Sequence, residues 1–122
     1  MDIKSEPTSI RDVAKKYGLS IYALRYYEKI GLFEVPRNNN GVRVFDHQAL
    51  IRINSVVHYR RAGLTVKEIQ MIFSTPEQDE KHLKVLSQAK ENLNKQLTDL
   101  QETVKYLDYK IDYHEKRLLE KK

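Results

Sequence analysis

Along the first 76 residues, apolar positions recur at spacings of three and four in four short runs, and each run ends at a glycine or a proline. In "IRDVAKKY", Ile10, Val13 and Ala14 share one face, Ser9 is placed to cap the N-terminus, and Gly18 closes the run. In "IYALRYYEKI", Ile21, Leu24, Tyr27 and Ile30 share a face between the cap residue Ser20 and the stop at Gly31. Two short helices joined by a tight glycine-containing turn predict a helix-turn-helix unit. A third helix is expected in "HQALIRINSVVHYRRA", capped by Asp46, with Leu50, Ile53, Val56 and Val57 inward and Gly63 at its end. Thr65 and Glu68 form a capping box for a fourth, "VKEIQMIF", which turns Ile69, Ile72 and Phe73 inward before Pro76 stops it. Between the second and third helices, "FEVPRNNNGVRVF" places two short β-prone pieces around an Asn-Gly step, a strong hairpin signal, with Pro36 suited to an edge.

The pattern then changes period. From Glu77 onward there is no glycine or proline, and from Leu83 apolar residues alternate steps of three and four. The a positions are Leu83, Lys90, Leu97, Val104, Ile111 and Leu118; the d positions are Leu86, Leu93, Leu100, Leu107 and His114. Only Lys90 and His114 break the apolar seam, so a coiled-coil helix is expected. At 1.5 Å per residue the seam extends roughly 54 Å, too far to fold back on a small head, and a second copy is the expected partner. Polar seam residues fix register and orientation at some cost in stability, and a frayed helix end is the blander account of His114. The chain is therefore read as a head, residues 1–76, and a dimerisation helix, residues 77–122. The fold class expected is mainly α.

Charge separates the same two parts. Residues 1–76 hold 12 Lys/Arg against 7 Asp/Glu, and residues 77–122 hold 10 against 10, so the whole excess of +5 sits on the head. Such a head either binds a polyanion or carries ordinary solubility charge. Cysteine is absent, which removes disulfides, thiolate metal sites and thiol redox sensing. The four histidines, at 47, 58, 82 and 114, show no ligand spacing, and neither a metal nor a cofactor is expected. No stretch approaches the roughly 18 apolar residues of a membrane span, and "MDIKSEPTSIRD" lacks the apolar centre of a signal peptide. A cytoplasmic protein that does not enter the membrane is expected.

The face of the second helix opposite Leu24 carries Tyr22, Arg25, Tyr26 and Lys29 at i, i+3, i+4 and i+7. Outward Tyr, Arg and Lys suit phosphate oxygens and base edges, and Arg is the usual bidentate partner of guanine in the major groove. The bland reading is a solvated face; the helix-turn-helix setting and the segregated charge favour DNA. Arg37 and Arg43 flank the hairpin turn, and Phe45 follows at the alternation of Arg43, making a second cationic site. Arg60 and Arg61 either clamp a phosphate or answer the dipole at a helix C-terminus.

The ordered set "LRYYEKIGLF", "PRNNNGVRVF" and "RRAGLTVKEIQMIF", followed by a long heptad helix, resembles the MerR family of bacterial transcription regulators over nearly the whole chain. The resemblance implies a winged helix-turn-helix head and a homodimer joined by an antiparallel coiled coil. It implies binding to a palindromic double-stranded promoter element with an overlong spacer, which the dimer distorts so that RNA polymerase engages. It places Arg25 in the major groove, Tyr26 and Tyr27 near phosphates, Arg37 and Arg43 in the wing, and Arg60 near the backbone; Ser20, Tyr22, Lys29 and Phe45 are counted with them as DNA-binding residues. The period argument differs on Tyr27, which it sets half-buried. The wing also departs from the family's usual Gly-Tyr-Arg, since Val42 replaces the tyrosine.

"SIYALRYYEKIGLF" is most similar to multidrug-responsive members, and "LDYKIDYHEKRL" to small aldehyde-responsive ones, whose cysteine-based sensing this chain cannot perform. Tyr106, Tyr109 and Tyr113 form an aromatic stripe off the seam that either packs on a partner or lines a pocket for a small-molecule effector. The expected function is a sequence-specific, homodimeric, DNA-binding transcriptional regulator and not an enzyme. The rival is a coiled-coil interaction module whose basic head docks an acidic protein.

Overall fold

A computed structural model describes residues 9–121; the first eight residues of the opening stretch "MDIKSEPTSIRD" lie outside the described residues. The order of elements is α1 (Ile10–Tyr17), α2 (Ile21–Lys29), α3 (His47–Arg61), α4 (Val66–Ser74) and α5 (Asp79–Glu120). The chain divides into two compact units with the break after Asp79.

In the first unit every helix starts on a side-chain cap. Ser9, Ser20, Asp46 and Thr65 each accept a hydrogen bond from the backbone N–H three residues on, so each helix begins where an orphan donor finds an oxygen. The capping box is formed in full, with Glu68 accepting from the Thr65 N–H at 2.9 Å. The stops share one motif, Gly-Leu, used three times. At α3 the Gly63 φ of 91° lets the chain double back, and the Leu64 N–H donates to the Tyr59 carbonyl at 3.0 Å. Leu19 and Leu32 donate to Ala14 and Tyr27 in the same way, and Leu32 and Leu64 end up buried. Each motif thus ends a helix, and the two after α2 and α3 also drive an apolar anchor into the core.

The core draws on all four helices and the segment between α2 and α3. Val13, Leu24, Leu32, Ile53, Val56 and Ile69 are wholly enclosed, α1 packs on α2, and α3 packs on α4. Phe33, Val35 and Phe45 join them from the connection after α2. The hairpin expected there is reduced: among the described residues no strand forms, and a single antiparallel bridge joins Arg37 to Arg43. Burial of the flanking Val35 and Phe45, not a β ladder, pins the wing at its base.

The second unit is the 42-residue helix α5, about 63 Å long, with no buried residue. Its seam stands open: Leu97, Leu100, Val104, Leu107, Ile111 and Leu118 are all more than half exposed.

Candidate nucleic-acid interface

The outer face of α2 carries the residues picked out by its period. Ser20 Oγ accepts the Ala23 N–H at 3.0 Å, which fixes the start of the helix and hence the direction of each side chain after it. Leu24 is buried on the inner face, while Tyr22 is 80% and Tyr26 45% exposed on the other, with Arg25 and Lys29 exposed beside them. Arg25 has no hydrogen-bond or ion-pair partner among the described residues, so its five N–H donors are free for a ligand. Tyr27 is half-buried and its ring lies tilted against that of Tyr26, with centroids 5.9 Å apart. The tilt lets Tyr27 support Tyr26 from the core side.

The wing is tied to this helix by one carboxylate. Glu28 Oε1 accepts from Arg43 Nε at 2.8 Å and from Arg37 Nη2 at 3.5 Å, with its side chain only 17% exposed. The turn itself is closed by Asn38, whose Oδ1 accepts from the Asn40 and Val42 N–H groups at 2.8 and 3.0 Å. Arg43 is thus a strut between wing and helix, with Arg37 more exposed beside it. Sequence patterning missed Glu28, because a partner fifteen residues away leaves no periodic trace.

Phe45 requires a correction. Expected among the DNA contacts of the wing, it is 5% exposed and packed in the core, so its ring anchors the wing and does not reach outward. Alternation misplaced it because a loop with one bridge does not keep the two-residue period of a strand.

A third cationic place lies at the turn between α1 and α2. Tyr17, Gly18, Leu19, Tyr27, Val57, Arg60 and Arg61 line an open hollow of about 350 Å³. Arg60 Nη1 donates to the Leu64 carbonyl at 2.8 Å and Arg61 Nη2 to the Tyr17 carbonyl at 3.2 Å. Both guanidiniums therefore answer backbone oxygens and keep further N–H donors. Burial holds the Tyr17 phenol above its ordinary pKa, so it is a neutral hydroxyl at physiological pH.

On α5, the Tyr106 and Tyr109 rings lie tilted to each other with centroids 6.3 Å apart, and Tyr113 lies between Lys110 and Arg117, at 5.2 and 5.6 Å from its ring centre. All three tyrosines are exposed. Among the described residues no group of three or more His, Asp or Glu side chains is arranged to hold a metal ion.

Replacing Glu28 with Ala should release both wing arginines without touching the core. We expect duplex affinity to fall roughly three- to tenfold, the effect of losing one partly buried charge-assisted pair. Helix content should stay unchanged, and fluorescence anisotropy with circular dichroism checks both.

The sequence profile described as MerR HTH family regulatory protein matches residues 8–75. The HTH-type transcriptional regulator AdhR of Bacillus subtilis is 37% identical over 62 residues, covering 50% of this chain and 44% of that protein, so the chain spans about half the length of this relative. The regulator YfmP, also of Bacillus subtilis, is 29% identical over 113 residues, covering 89% of this chain and 79% of its own. Among solved structures, HiNmlR, a MerR family regulator lacking the sensor domain and bound to promoter DNA, superposes with a TM-score of 0.75 at 26% identity, covering 88% of this chain and 85% of its own. On the strength of the matched helix-turn-helix segment and the shared fold, this chain belongs to the MerR family.

Proposed function

We propose that the chain is a homodimeric regulator that binds a palindromic promoter element and distorts its spacer to control transcription by RNA polymerase. The observation that carries this reading is the unpaired Arg25, set between exposed Tyr22, Tyr26 and Lys29 on the second helix of a helix-turn-helix unit. That placement suits a helix lying in the major groove with its N-terminal residues at base edges. Arg25 reads guanine, and Tyr22, Tyr26 and Lys29 hold the flanking phosphates. The Ser20 oxygen caps α2 while its O–H remains available to a phosphate. Arg37 reaches the backbone from the wing, with Arg43 holding the wing in place. Arg60 offers a phosphate the donors not spent on Leu64, and Tyr27 lines the same hollow.

The similarity to HiNmlR, a MerR family regulator bound to promoter DNA, supports the promoter-binding part of this reading, and Tyr106, Tyr109 and Tyr113 stay candidates for a small-molecule effector site. Pairing of the α5 seam sets the distance between two heads, and so the separation of the half-sites.

Salt dependence tests the electrostatic part. Three phosphate-facing cations per copy, Lys29, Arg37 and Arg60, amount to about six in a dimer. The plot of log affinity against log salt should then have a slope of about −5. A slope near zero overturns the reading. Equal affinity for promoter and scrambled duplexes favours a basic head that docks acidic partners.

A further inference from the structure

We infer that the α5 seam pairs with a second copy of this chain in a single antiparallel register, fixed by Lys90 lying opposite the partner's His114. The inference rests on the homodimer reading above, takes the antiparallel orientation that the family resemblance implies, and specifies the register. Along the seam the step from a to d is three residues and from d to a is four. An antiparallel partner presents these steps in reverse, so the spacings coincide only where each a position faces a d position. Allowed registers therefore differ by whole heptads, and the two that overlap most each provide five distinct facing pairs.

The two differ in where they put the polar residues. One sets Leu97 against the partner's Leu100. It then faces Lys90 with the partner's Leu107 and His114 with the partner's Leu83. An ammonium and an imidazole are each desolvated against hydrocarbon, with no hydrogen-bond partner, at four places in the dimer. The other sets Leu100 against the partner's Val104 and brings Lys90 opposite the partner's His114. Every other facing pair in it is apolar. An imidazole nitrogen accepts from the lysine ammonium, so the two polar interruptions satisfy each other. Neighbouring registers lose a facing pair and still leave a polar residue opposite an apolar one. The interruptions thus act as a register key, as a lone polar residue does in other coiled coils.

Nothing within one chain competes for these groups. Lys90 is exposed with no ion pair among the described residues, and His114 rests edge-on against its neighbour Tyr113, with ring centres 5.1 Å apart. All of α5 is free of buried residues, so the seam is open to a second copy.

The cysteine-free chain permits a direct test. A Leu97→Cys, Leu107→Cys variant brings cysteines face to face in the inferred register, and a Leu97→Cys, Leu100→Cys variant does so in the other. The wrong register separates each pair by a heptad, about 10 Å, beyond the roughly 7 Å between Cα atoms that a disulfide spans. Under mild oxidation the first variant should crosslink to dimer nearly completely and the second little. The reverse result, or equal crosslinking of both, overturns the register. Should the first variant assemble poorly, Leu93→Cys with Ile111→Cys tests the same register. Adding Lys90→Leu and His114→Leu to the Leu97→Cys, Leu100→Cys variant should raise its crosslinked fraction several-fold, and no rise overturns the role of the polar pair. Sedimentation of the unmodified chain separates the two levels: a monomer there contradicts the homodimer itself, whereas a dimer with the wrong crosslinks contradicts only the register.

Discussion

Replacing Arg25 with alanine should abolish most promoter affinity while leaving the fold intact. Each copy in the dimer loses one bidentate guanine contact worth about 1–3 kcal/mol. Two copies together lose about 2–6 kcal/mol, a weakening of roughly thirty-fold or more. Stability should hardly change, because Arg25 is exposed and pairs with nothing among the described residues. Arg25→Lys keeps the charge but loses the fork, so it should restore non-specific binding and not discrimination. Anisotropy titration against promoter and point-mutated duplexes measures both quantities. Specificity should relax at one base position per half-site. Full affinity in Arg25→Ala would remove the residue from the interface.

Replacing Leu100 with glutamate should separate the copies. Leu100 lies near the centre of the seam and is 63% exposed in the single chain, so its burial depends on a partner. Each dimer loses two buried leucines, at about 1.5–3 kcal/mol apiece, and gains two carboxylates that must be desolvated. Dimer affinity should drop more than a hundred-fold. DNA affinity should follow, because a monomer holds one half-site and forfeits the effective concentration of the second head, a factor of about 10²–10⁴. Sedimentation velocity reports the mass and anisotropy the binding. A variant that stays dimeric would show that the copies pair elsewhere.

Much of this architecture was legible in the sequence because it is periodic or punctuated. The caps Ser9, Ser20, Asp46 and Thr65 and the Gly-Leu stops delimit the head helices within a residue or two. The inward positions of α3, Leu50, Ile53, Val56 and Val57, are all buried. On α2 the period separated Leu24 from the exposed Tyr22, Arg25, Tyr26 and Lys29, and it set Tyr27 half-buried.

What escaped lies where the chain has no period. The wing holds one bridge, so alternation there does not assign faces, and Phe45 fell on the wrong side. Leu32, Phe33 and Val35 are core residues in a connecting segment, recruited by the turn after α2 rather than by a helix face. The Glu28 tie to Arg37 and Arg43 joins elements that are distant in sequence, and only folding brings them together.

The most direct measurement is competition between two duplexes of equal length and composition at about 0.15 M salt. One carries the DNA upstream of this chain's own gene, with any inverted repeat intact, and the other the same bases scrambled. The dimer should bind the first about a thousand-fold or more tightly than the second. Equal affinity for the two, at any salt concentration, would contradict it.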